Sequence, residues 1–153
     1  MSSLNEHLLR NRQRLAIERF VKEAANLLSQ GVQFADAVAS ASLGAEVRGA
    51  LSARRPEANG RLLITTDGGQ FVEVVRAYFE AHAGLSWYVL ATHWTDAGAF
   101  IASSAELAKS AFDLLNLDGD TLYGCSFDRS RIFALDRTVE KQNSTFELFG
   151  FST

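Results

Sequence analysis

Apolar residues recur at helical spacing at the start of the chain, at Leu4, Leu8, Leu15, Phe20, Ala24 and Leu27/Leu28, and Ser3 with Glu6 has the spacing of a capping box. This pattern predicts one long helix, closed by Gly31. The next stretch, VQFADAVASASLGAEVRGALSARR, is rich in alanine, with Phe34, Val38, Val47 and Leu51 as its larger apolar positions and Gly44 as an interruption. It predicts two short helices or one kinked helix. The only proline, Pro56, sits in RRPEANG, where helix stops, and residues 55–60 are the candidate linker.

Beyond the linker the period changes. Arg61 to Thr66 predicts a short strand, and residues 67–83 admit two readings. In one, Asp67 is an N-cap with Gln70 at the box position, opening a helix that Gly84 ends. In the other, Asp67-Gly68 is a hairpin turn into a β-branched strand, FVEVV. The length and the AYFEAHAG ending favour the helix. SWYVLATHW then predicts a strand, TDAG a turn and AFIAS its antiparallel partner. Ser103 and Glu106 form a second capping box, opening a helix with an apolar stripe through Leu107, Ala111, Leu114 and Leu115. After NLDGD come TLYGCSFD, RIFALDRT and STFELFGF, separated by polar turns at 128–130 and 140–143 and read as a C-terminal β-meander. Helices first and strands later give an α+β fold, with N-terminal helices packed on a mainly antiparallel sheet. Residues 1–153 read as a single domain with a helical part over 1–55 and a mixed part over 61–153, and no internal repeat interrupts it.

Composition narrows the class. Hydrophobic residues make up 47% of the 153 residues and charged residues 22%, so the chain carries enough apolar material for a packed core. The single cysteine, Cys125, excludes an internal disulfide, and with three scattered histidines it makes a poor zinc inventory, so no metal or cofactor is expected. Strand alternation turns Cys125 inward as a small apolar residue. The N-terminus lacks the apolar core of a secretory signal and no span suits a membrane helix, which reads as a soluble, cytoplasmic protein. The net charge of −3 is unevenly spread: residues 1–62 hold nine Lys/Arg against six Asp/Glu, and residues 63–153 hold six against twelve. Such a field favours a basic partner for the C-terminal part.

Several segments carry candidate chemistry. NLDGD has clustered oxygens around a glycine but lacks the spaced ligands and distal Glu of a calcium loop, so a helix-to-strand turn accounts for it. Gly68 and Gly69 follow a strand as in a phosphate cradle, yet neither a third spaced glycine nor Lys-Ser/Thr follows. His93 and Asp96, beside Trp94, are the most enzyme-like pair, an imidazole that a carboxylate could orient as a general base, with His82 joining through space. No nucleophile elbow completes a triad. Arg10, Arg12, Arg14, Arg19 and Lys22 offer a basic N-terminal helix to nucleic acid, but Glu6, Glu18 and Glu23 interleave at helical spacing and make a salt-bridged surface the better account. The largest charge feature is the acidic set Asp113, Asp118, Asp120, Asp128, Asp136, Glu140 and Glu147. Carboxylates sharing one face would recruit Arg and Lys of a partner.

The last third is similar to the C-terminal half of small immunity proteins of bacterial toxin systems. The likeness rests on Leu117 to Thr121 (LDGDT), the Leu135-Asp136 pair, and FELFG at Phe146 to Gly150, and spans about 50 of the 153 residues. It implies a cytosolic protein that binds a basic toxin domain through an acidic surface and performs no catalysis. The leading expectation is therefore a protein-binding inhibitor whose partner-binding residues are Asp118, Asp120, Asp128, Asp136 and Glu140. The alternatives are a small enzyme or ligand-binding domain with a pocket near His93 and Asp96, and a nucleic-acid-binding regulator that uses the N-terminal helices.

Overall fold

A computed structural model describes residues 2–28, 33–35, 42–49, 60–91, 99–118 and 121–152. In chain order the elements are α1 (Ser2–Ala24), β1 (Gln33–Phe34), α2 (42–49), β2 (Gly60–Thr65), α3 (Gly68–Ala81), β3 (Ser86–Ala91), β4 (Phe100–Ser103), α4 (Ser104–Asp118), β5 (Thr121–Ser126), β6 (Arg131–Glu140) and β7 (Asn143–Ser152). The strands form one seven-stranded sheet in the order β1-β4-β3-β5-β6-β7-β2, and every pairing is antiparallel. The fold is α+β, with β5-β6-β7 as the C-terminal meander.

Local chemistry explains the boundaries. Residues 68–81 are helix rather than hairpin because Asp67 stays extended and its Oδ1 accepts the Gln70 amide at 3.1 Å, while the Thr65 hydroxyl donates to Gln70 Oε1 at 2.8 Å. Three residues after the last residue of this helix, Gly84 takes φ +84°, a turn that side-chain-bearing residues resist. At α4 the Ser103 hydroxyl accepts the Glu106 amide at 3.1 Å and Glu106 reaches back to the Ser103 amide at 3.3 Å, closing the second capping box. The Ser3 box is not where α1 starts, since Ser2 is already helical, and α1 ends at Ala24, short of Gly31, which lies outside the described residues. Gln33–Phe34 is also a strand where helix is predicted. These two residues find ladder partners in Ile101 and Phe100, and the Ala35 amide donates to the Ala99 carbonyl at 2.8 Å. Only the 42–49 portion of that stretch is seen as helix; Val38, Leu51 and the linker residues 55–59 lie outside the described residues.

The β6–β7 hairpin turns on Lys141 and Gln142, both in the left-handed region at φ 47° and 73°. This backbone suits the twist of a two-residue hairpin turn, although neither residue is glycine.

Alternation gives the sheet two faces. One face is covered by α3, α4 and the C-terminal end of α1, around Phe20, Phe71, Phe79, Trp87, Phe100, Phe133 and Leu148. Trp87 sits at its centre, edge-on to Phe79 and Phe133 with ring centroids 5.6 Å and 5.4 Å away. Its Nε1 donates to Ser104 Oγ at 2.8 Å, and that hydroxyl donates to the His82 carbonyl at 2.7 Å. The other face is covered by α2, whose Leu43 and Val47 are buried over Leu90, Tyr123, Cys125, Ile132 and Ala134. Cys125 is buried as alternation predicts, and burial pushes its thiol up to about 11.

The Phe133 ring reaches its place beside Trp87 by lying over Gly124. A Cβ at Gly124 would stand 2.2 Å from the Tyr88 carbonyl oxygen and 2.9 Å from Phe133 Cε1. The first of these is backbone and has no rotamer to escape into. Gly124→Ala is expected to lower the unfolding free energy by about 2–3 kcal/mol, measured by denaturant titration, as for other overpacked cores.

Candidate partner-binding face

Of the residues named from sequence, His93 and Asp96 fall in 92–98 and Asp120 in 119–120, outside the described residues. Asp118 is the last residue of α4. Asp128, Asp136 and Glu140 are placed, and they do not form one cluster. Asp128 lies in the β5–β6 turn before β6 and Glu140 closes that ten-residue strand, so they stand about 30 Å apart.

What the hairpin does bring together is Asp136 and Glu147. They are direct register partners across β6 and β7. Ile132 and Ala134 point to the α2-covered face, so alternation puts Asp136, Thr138 and Glu140 on that face too, and register adds Glu147 and Thr145. Directly opposed residues in an antiparallel pair have Cα atoms about 5 Å apart. Two carboxylates at that spacing repel, a destabilising arrangement for a cross-strand pair. The Thr121 hydroxyl donates to Asp136 Oδ1 at 2.8 Å. Among the described residues neither carboxylate has a cationic partner. Arg137, next in sequence to Asp136, points to the opposite face and donates to Asn116 Oδ1 at 2.8 Å.

Glu147 belongs to the acidic set but is not among the partner-binding residues named from sequence. The signal for it was present, because counting back from a turn at 140–143 pairs 147 with 136. Asp128, by contrast, organises its own turn. Its Oδ1 accepts from the Ser126 hydroxyl at 2.6 Å, the Ser130 amide at 3.0 Å and the Ser130 hydroxyl at 2.7 Å. These bonds hold the carboxyl down to about 2.

His82 is half-buried at the C-terminus of α3, with its ring edge-on to Tyr78 at 4.8 Å. Burial, then the nearby Arg131 cation, lowers its imidazole, while burial pushes the Tyr78 phenol up to about 12. On the helical side a cleft of about 290 Å³ lies between α3 and α4, lined by Phe79, Glu80, Ala83, Gly84, Ser104, Ala105 and Ala108. Among the described residues no three His, Cys, Asp or Glu side chains converge as a metal site, and no helix is long and apolar enough to cross a membrane. The basic N-terminal helix shows the interleaved pairing expected of it, with Arg14–Glu18 and Arg19–Glu23 both at 3.1 Å.

No family model matches the chain, and no curated protein or solved structure matches it.

Asp128 makes a pH prediction with a definite sign. Its folded value lies below the unfolded value of about 3.9, so the stability it contributes is complete above that value and is lost as pH falls through about 2. Asp128→Asn should flatten the fall of the thermal midpoint between about pH 4 and pH 2 while leaving the rest of the acid limb in place.

Proposed function

We propose that the chain is a protein-binding inhibitor of the immunity type, and that the open part of the β6–β7 hairpin is where it meets a basic partner. The observation that carries this reading is the Asp136–Glu147 register pair, two half-buried carboxylates facing each other with no cationic partner among the described residues. A fold selected for stability alone would place a cation or a neutral residue at one of the two positions. A guanidinium or ammonium group from a partner removes the repulsion and gains charge-assisted hydrogen bonds. Glu140 lies four residues along the same face and adds a third carboxylate to it. A field of this kind raises the association rate and selects against acidic partners. The resemblance of the last third to immunity proteins points the same way, and it rests on segments that include both Asp136 and Glu147.

The test is affinity capture from lysate of the native source at low and moderate salt, with wild type run beside the doubly neutralised variant Asp136→Asn/Glu147→Gln. Wild type should retain one basic protein in stoichiometric amount, and the variant should bind it at least about ten-fold more weakly at low salt, the scale of losing a charge-assisted contact. The same variant should be as stable as wild type or more stable by up to about 1 kcal/mol, because the repulsion is gone. Equal capture by both proteins would refute the reading.

A further inference from the structure

The cleft on the helical side has a definite cause. Ser104 ties the start of α4 to the end of α3, yet the side chains that meet there are short: Ala83 and Gly84, just past the end of α3, and Ala105 and Ala108 on α4. None of them reaches across, and a Cβ placed on Gly84 would meet nothing within 4 Å. Phe79, which is fully buried, forms the floor. The Ser104 hydroxyl is already engaged between the Trp87 indole and the His82 carbonyl. The Phe79 and Glu80 carbonyls accept the His82 and Ala83 amides at 3.1 and 3.2 Å. What these walls leave is an apolar hollow of about 290 Å³, at the small end of the range for small-molecule sites.

One end of this hollow is charged. It adjoins a second hollow of about 190 Å³, which shares Glu80, Ala105 and Ala108 with the first and adds Arg76 and Lys109. Arg76 and Glu80 are one turn apart on α3, and Lys109 belongs to α4. Arg76 gives one N–H to Glu73 at 3.1 Å, and a guanidinium has further donors to offer. Glu80 and Lys109 carry opposite charges and line the same hollow, but they do not pair with each other. Among the described residues neither has any other ion pair.

From this arrangement we infer that the cleft is a binding site for a free α-amino acid with an apolar side chain of about leucine's size. The side chain fills the hollow over Phe79, the carboxylate meets Lys109 and Arg76, and the ammonium group meets Glu80. An apolar anion would leave Glu80 without a cation, and an apolar amine would leave Lys109 without a carboxylate. A zwitterion matches both. Each exposed pair contributes little alone, so selectivity comes from three contacts acting on one small molecule. The site lies on the helical side of the sheet, whereas Asp136 and Glu147 lie on the other, and it does not depend on the basic partner proposed above.

The test is a titration of the intact, ¹⁵N-labelled protein with L-leucine, followed at the amide resonances of Ala83, Gly84, Ala105 and Ala108. Leucine should move these resonances saturably. Glycine, which has both charges but no side chain, should bind at least about ten-fold more weakly. Isocaproate, which lacks the ammonium group, and isoamylamine, which lacks the carboxylate, should each bind about five-fold more weakly than leucine, the scale of one exposed charge pair. Glu80→Gln should weaken leucine by the same factor and leave isocaproate unchanged, and Lys109→Gln should weaken leucine and leave isoamylamine unchanged. Ala105→Leu, at an exposed helical position, fills the hollow and should abolish leucine binding while the thermal midpoint stays near that of wild type. No saturable movement with leucine, movement confined to residues outside the cleft, equal binding of leucine and either analogue, or undiminished binding by Ala105→Leu would each overturn the inference.

Discussion

Trp87 is the element on which the rest of the helical side depends. Its indole is fully buried, so its N–H must find an acceptor or cost the fold the desolvation of that group. Ser104 meets the need, and its hydroxyl in turn donates a hydrogen bond to the carbonyl of His82. In this way one strand residue fixes the start of α4 and the end of α3 at once. The capping box at Ser103 and Glu106 then makes the start of α4 a definite point rather than a frayed one, so Ser104 is held where the indole requires it. The rings of Phe79 and Phe133 complete the site from the helix and from the sheet, and the absence of a side chain at Gly124 lets Phe133 lie down against the strand.

Much of this architecture was legible in the sequence because local chemistry and tertiary packing agree. The Asp67 and Ser103 caps name the starts of α3 and α4 before any contact is considered, and the stripe at Leu107, Ala111, Leu114 and Leu115 is the buried face. The β-branched FVEVV run, which also suits a strand, was settled by its cap and length. Where reading failed, tertiary structure overrode local preference. Gln33–Phe34 sits in an alanine-rich helical context and becomes strand only because β4 offers it a ladder. The second face was hidden for the same reason, since Leu43 and Val47 look like any helical apolar pair until the sheet places Cys125 and Tyr123 beneath them.

The acidic set shows how far a charge list can be trusted without register. Asp128 and Asp136 look alike in sequence, but the first is consumed by its own turn, bonded to Ser126 and Ser130, while the second faces another carboxylate. Only the second arrangement carries a repulsion that a cation from outside the chain would relieve. That distinction follows from pairing partners and from the direction of each side chain, neither of which a count of Asp and Glu contains.

The pair itself is made by the turn at Lys141 and Gln142. A strand's side chains alternate with period two, so the length of that turn sets the parity of everything after it. One inserted residue would exchange the faces of β7: Glu147 would be driven toward the aromatic cluster, and Phe146 and Leu148 would be delivered to the opposite side. Single-residue insertions and deletions in this turn are therefore all-or-none events for the hairpin. Among descendants of this chain, the turn's length should tolerate less drift than the identity of the two residues that form it.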